Sequence, residues 1–97
     1  MNKATFYGRI VEVSEPRLFE KNGDTYEYKT VIFNIADPDS GYHAVPGNII
    51  AANLWDDREL PSKGVLTRFS VRLTSERNRK SPDIYFHKVN LQNVEAL

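Results

Sequence analysis

Apolar and polar side chains alternate at every second position along most of this chain, and that period constrains its fold more than any other feature. A period of two places alternate side chains on opposite faces of a strand, whereas a helix needs a period near 3.6. Turn-forming residues, among them Asn22-Gly23 and Pro46-Gly47, interrupt the pattern. The sequence therefore predicts five strands, at residues 3–13, 26–36, 48–55, 66–74 and 84–94.

A short helix is predicted only at residues 56–63, because Pro61 and Gly64 limit it to one or two turns. Five strands with a short helix between the third and the fourth predict an all-β OB fold, a five-stranded Greek-key barrel whose helix closes one end. A five-stranded SH3-like barrel and an open β-meander are the alternatives. Gly8 in the first run indicates a strand bend or a close contact within the barrel.

Composition removes several classes of protein. The 97 residues suit one domain, covering 1–97, and contain no cysteine, which excludes disulfide scaffolds and cysteine-ligated zinc. No apolar run approaches the roughly 20 residues of a membrane span, and residues 1–9 lack the apolar stretch of a signal peptide, so a cytoplasmic location is expected.

The net charge of +0 hides a strong asymmetry. Residues 1–57 carry five Lys and Arg against nine Asp and Glu, whereas residues 58–97 carry eight against four. The densest basic segment is residues 68–80, where five basic side chains accompany Glu76 alone. A folded surface presents such patches rather than the average charge, so a nucleic-acid partner stays compatible with the composition.

No catalytic or metal-binding constellation stands out. Asp56, Asp57 and Glu59 form an acidic group, but the spacing places no further ligand or base with them, and acidic residues are typical of a first helical turn. His43 and His87 lie far apart without a cysteine, so no zinc site or triad is indicated. The expectation is a protein that is not an enzyme and has no cofactor or metal.

Six short segments resemble, in order, those of the bacterial and phage single-stranded-DNA-binding proteins. They are Tyr7-Gly8-Arg9-Ile10, Asn22-Gly23, Phe33-Asn34-Ile35-Ala36, Asn53-Leu54-Trp55, Phe69-Ser70-Val71-Arg72-Leu73 and Asn93-Val94-Glu95-Ala96-Leu97. The resemblance spans nearly the whole chain. It implies an OB fold, assembly as a dimer or tetramer, and binding of single-stranded DNA without strong sequence preference in replication, recombination or repair.

The chain also departs from that family. The sequence ends at Leu97, so we expect no disordered tail with an acidic tip, and the chain then resembles the tail-less phage and plasmid forms and primosomal replication protein N. Two stacking positions of the family fall near Asn78 and Ile49, neither of which is aromatic. We therefore expect modest affinity with clear salt dependence.

Trp55 is the leading candidate for base stacking, because strand alternation sets it with Asn53 on the face opposite the apolar Leu54. The same alternation, with Phe69, Val71 and Leu73 buried, puts Arg68 and Arg72 together on the wet face. The predicted nucleic-acid-binding residues are Trp55, Arg68, Arg72, Arg77, Arg79, Lys80, Tyr28, Lys29 and Arg9.

Two alternatives remain open from the sequence. An OB-fold module that binds a protein in a replisome or primosome would also fit, and in it Trp55 would be buried. Single-stranded RNA could replace DNA, because no feature reads a 2′-hydroxyl. A homo-oligomer is expected in either case, since a small barrel with an open edge on its first strand favours pairing.

Overall fold

The structure, a computed structural model, describes residues 2–77 and 85–97, and the side chains of 2–74 and 88–97. It is nearly all strand, as predicted. The strands are β1 (Lys3–Val13), β2 (Arg17–Lys21), β3 (Asp24–Asp37), β4 (His43–Leu54), β5 (Leu66–Arg77) and β6 (Tyr85–Ala96), with a 3₁₀ turn at Pro38–Ser40.

Five of these strands close into a ring. Its order is β1-β3-β4-β6-β5, and β5 pairs again with β1. All neighbours are antiparallel except β4 and β6, which pair in parallel where Asn53 meets Asn90. A closed, ring-like sheet of five strands is thus present, and β2 lies outside it.

The strand β2 forms a hairpin with the first half of β3. Asn22 and Gly23 connect the two strands with φ of 53° and 83°. Positive φ at both positions is what a two-residue type I′ turn requires, and Asn-Gly is the sequence that adopts it most readily. The turn predicted from the sequence is confirmed, and it sets the register in which Phe19 faces Tyr26.

The core fills the inside of the ring with alternate residues of each strand. Phe33 and Phe69 stack at its centre, with ring centroids 3.7 Å apart. The buried apolar cluster consists of Ile10, Val31, Phe33, Ala52, Leu54, Phe69, Val71 and Leu91. These residues occupy the inward positions that the period of two predicts.

The predicted helix at residues 56–63 is wrong, because residues 55–65 form an irregular connection with one turn. The Asp56 carboxylate accepts hydrogen bonds from both the backbone N–H and the guanidinium of Arg58. Such local bonds compete with helix formation, and Pro61 cannot donate to a helical ladder.

The prediction that the Leu73 side chain is buried is also wrong, since that side chain is exposed. Strand β5 pairs with β1 only as far as Arg72, opposite Lys3. One more backbone hydrogen bond follows, from the Leu73 N–H to the Asn2 carbonyl oxygen, and β5 then pairs with β6 alone. The two strands extend past the ring there, so the Leu73 side chain lies beyond the end of the core.

No helix among the described residues is long and apolar enough to cross a membrane.

Candidate nucleic-acid interface

Trp55 forms an exposed aromatic cluster with residues of two neighbouring strands. Its ring centroid lies 4.7 Å from that of Tyr28 on β3 and 6.0 Å from that of Phe19 on β2. The indole is nevertheless 43% exposed. Aromatic rings that are held in place and remain open to solvent are what base stacking requires.

The local sequence explains this position. On β4, Ala52 and Leu54 face the core, so the next side chain after Leu54 points outward. Lys29 pairs with Leu54, which sets Tyr28 beside Trp55. The outward orientation of the Trp55 side chain, which strand alternation predicts, is confirmed.

Phe19 and Tyr26 extend the aromatic surface along the hairpin. They face each other in the β2–β3 register, and side chains directly opposite in a strand pair lie on the same face. Both are more than 40% exposed. Phe19 was not among the predicted site residues, although the Asn22-Gly23 turn sets its register and could have indicated it.

A depression of about 280 Å³ adjoins one side of the indole. Asn53, Asn90 and Lys88 contribute its polar side chains, while Phe19, Tyr28 and Trp55 contribute its aromatic ones. A larger depression of about 470 Å³ adjoins Trp55 on the side of Tyr26 and Lys29. Trp55 thus lines both depressions, and Lys29 lines the larger one together with the carboxylates of Glu27, Asp56 and Asp57.

Two hydrogen bonds hold the Asn90 and Asn53 side chains that line the smaller depression. Trp55 Nε1 donates to Asn90 Oδ1 at 2.8 Å, and Thr30 Oγ1 donates to Asn53 Oδ1 at 3.1 Å. In the strand registers Thr30 pairs with Asn53, Asn53 with Asn90, and Asn90 with Arg72. A polar row thus crosses four strands and ends at an exposed arginine.

Arg72 and Arg68 differ in their surroundings. Arg72 is exposed at the end of the polar row. Arg68 donates to Glu95 at 2.8 Å, and the hydrogen bond to this carboxylate raises the pKa of the guanidinium further, with Tyr7 adding to the effect. Four residues separate the two arginines along β5, or about 13 Å. Only Arg72 shares a register row with the residues that adjoin Trp55.

Arg9 lies apart from the aromatic cluster. Its Nη1 donates to the carbonyl oxygen of Tyr42 at 2.7 Å, and it pairs with Asn34, four residues along β3 from Thr30. That separation is about 13 Å of strand, so the structure does not bring Arg9 to Trp55. The Arg77 side chain, Arg79 and Lys80 lie outside the residues whose side chains are described.

Asp56, which directly follows Trp55, is held by a local partner. Asp56 forms an ion pair with Arg58 at 2.6 Å, and the hydrogen bond from Arg58 lowers the pKa of its carboxyl group. Across the described part of the chain, no group of three or more His, Cys, Asp or Glu side chains could hold a metal ion.

Neither comparison by sequence identifies a family for this chain: no protein-family model matches it, and no curated protein matches it significantly.

Proposed function

We propose that this chain is a non-catalytic, cytoplasmic OB-fold protein that binds single-stranded DNA in replication, recombination or repair. The observation that carries the proposal is the exposed cluster of Trp55, Tyr28 and Phe19 beside a row that ends at Arg72. Aromatic rings supply stacking surfaces that every base can use, and cationic groups contact the phosphates between the bases.

The strand order supports the OB-fold part of the proposal. A closed ring of five strands with a single parallel pairing, between its third and fifth members in chain order, suits a Greek-key barrel. OB folds bind oligonucleotides on the face of their second and third strands and at the loops that follow the first and fourth. In this ring those strands are β3 and β4, which carry Tyr28 and precede Trp55, and the β2 hairpin follows the first.

The solvent exposure of Trp55 favours nucleic acid over the alternative of a protein-interaction module, for which a buried tryptophan is expected. The alternative retains one argument, because Leu18 on the outer strand β2 is 72% exposed. A peptide could add a strand at that edge.

The first experiment uses Trp55, the only tryptophan of the chain, as the reporter. Titration with oligo(dT) at low salt is expected to quench its emission, and the affinity is expected to fall as salt rises, because bound phosphates release counterions. Oligo(U) in a parallel titration tests RNA. Unchanged emission together with an unshifted oligonucleotide in a gel would contradict the proposal.

Arg72→Ala is expected to weaken binding of oligo(dT) at low salt by about fivefold and to reduce the salt slope by about one. Arg68→Ala is the matched variant on the same strand face, and a smaller loss is expected because Glu95 already neutralises that guanidinium. Binding measured across a salt series distinguishes the two. Equal losses of affinity in the two variants would mean that the Arg68–Glu95 ion pair opens without a free-energy cost when DNA binds.

Assembly as a homo-oligomer is part of the proposal. Within the described strands, residues 3–7 of β1 pair with β5 on one side and have no partner strand on the other. An open strand edge offers backbone hydrogen bonds to a second copy. Sedimentation equilibrium is expected to give the mass of two or more chains, and a monomer at high concentration would remove this claim.

A further inference from the structure

We propose that Asn90 contacts the base stacked on Trp55 and that this position favours a base carrying a carbonyl oxygen over adenine. The inference rests on the proposed function and adds a base preference to it. It depends on the NH₂ groups of Asn90 and Asn53, whose hydrogens are available as donors beside the indole.

The indole of Trp55 determines how the Asn90 amide is oriented. An indole N–H can only donate a hydrogen bond, so the Asn90 atom 2.8 Å from Trp55 Nε1 must be the carbonyl oxygen. The NH₂ group of Asn90 then points away from the indole nitrogen and carries two donor hydrogens. Among the described residues, no acceptor is bonded to that NH₂ group.

Asn53 repeats this arrangement on the adjacent strand. Its carbonyl oxygen accepts from the Thr30 hydroxyl, and its NH₂ group has no acceptor among the described residues. Both amides line the depression beside Trp55. No acidic side chain of the described residues lines that depression.

A lining rich in donors discriminates between bases by their edges. Guanine and hypoxanthine present two adjacent acceptors, O6 and N7, whereas adenine presents an NH₂ donor beside N7. An amide NH₂ that faces position 6 therefore meets an acceptor in the first case and another donor in the second, whereas N7 accepts from it in both. Thymine and uracil also carry carbonyl oxygens. The expected preference is modest, since it depends on one or two hydrogen bonds.

Oligo(dI) and oligo(dA) are the sharpest pair of probes, because their bases differ at position 6 by a carbonyl oxygen against an amino group. Fluorescence anisotropy of labelled strands in lithium buffer, which disfavours four-stranded assemblies, gives both dissociation constants. The natural sequence is expected to bind oligo(dI) about three- to tenfold more tightly than oligo(dA).

Asn90→Asp tests the assignment of this preference to one side chain. The carboxylate still accepts from Trp55 Nε1, but it replaces the NH₂ donor with an acceptor that suits the amino group of adenine. The ratio of affinities is therefore expected to reverse in favour of oligo(dA). The added negative charge repels both phosphate backbones alike and cancels in the ratio.

Asn93→Asp is the matched control. It introduces the same charge on the same strand, at a side chain that bonds to Ser70 rather than to Trp55. Its ratio of affinities should equal that of the natural sequence, which also accounts for the stronger self-stacking of oligo(dA).

The outcomes separate the two proposals. If the natural sequence binds neither strand, and oligo(dT) is not bound either, the proposed function fails and this inference fails with it. If it binds both strands and Asn90→Asp leaves the ratio at the Asn93→Asp value, DNA binding stands and the base preference is overturned. A reversed ratio in Asn90→Asp alone supports the inference.

Discussion

Trp55→Ala is expected to lower the affinity for oligo(dT) by about 5- to 150-fold at fixed salt. This is the range expected when one base loses its stacking contact with an aromatic side chain. The upper part of the range is expected, because Trp55 also contacts Tyr28 and Phe19 and its removal leaves both rings without their common neighbour. The salt slope should stay unchanged, since no phosphate contact is removed. Anisotropy of a labelled strand measures both quantities in a variant that has no tryptophan.

Two further variants assign the loss to stacking. Trp55→Phe keeps a flat ring but loses the hydrogen bond to Asn90, so it should recover most of the affinity. Leu18→Ala removes another exposed apolar side chain from the same hairpin, but Leu18 pairs with Glu27 on the face opposite Phe19. It should bind normally. A loss in Leu18→Ala equal to that in Trp55→Ala would show that the hairpin as a whole, and not the indole, is responsible.

Protein stability needs a separate check in these variants. The indole is 43% exposed, so its removal costs far less burial than removal of a core ring such as Phe33. Thermal unfolding followed by circular dichroism should show a small change for Trp55→Ala. An affinity loss that accompanies a folded protein then reports on the contact with DNA.

Local patterns predicted the features that depend on one strand or one turn. Alternation on β4 gave the outward direction of Trp55, because Leu54 and Ala52 had to be buried. The Asn22-Gly23 turn was equally local, since positive φ at two consecutive residues is favoured by that dipeptide itself. Neither feature requires knowledge of how distant strands pair.

Features that depend on pairing between distant strands were missed or misassigned. Leu73 continues the alternation of β5, but its burial ends where β1 stops pairing, at Lys3. Arg9 is basic and lies on the opposite strand face from the buried Ile10, as alternation predicts. The β1–β3 register nevertheless sets it opposite Asn34, away from the aromatic cluster. A single strand carries no signal for the register of its partner, so side-chain direction was predictable and position along the barrel was not.

The failed helix prediction has a different cause. Acidic residues near the start of a segment are typical of a first helical turn, and Asp56 fits that pattern. In this chain the same carboxylate bonds to the backbone N–H and the guanidinium of Arg58, and the segment stays irregular. An aspartate favours either outcome, and the choice depends on its partners.

Gly8→Ala is expected to destabilise the fold by about 1–3 kcal/mol, because it adds a methyl group where the barrel has no space. A Cβ atom at Gly8 would lie 2.5 Å from the backbone carbonyl oxygen of Asn34 and 3.1 Å from Cε1 of Phe69. The carbonyl belongs to β3 and cannot rotate away as a flexible side chain could. In a domain of this size the loss corresponds to a fall in Tm of about 5–20 °C.

The sign of this change distinguishes close packing from chain entropy. Gly8 is not among the residues with positive φ, so alanine can adopt its backbone conformation. The entropy of the unfolded chain alone would then make Gly8→Ala stabilising, by about 0.4–1 kcal/mol. Thermal unfolding of Gly8→Ala and the larger Gly8→Val should show a graded loss, and an unchanged or higher Tm would contradict the packing argument. Because Gly8 pairs with both Thr67 on β5 and Ile35 on β3, it lies where β1 closes the ring, and a side chain there would force apart the strands that hold the Trp55 surface in place.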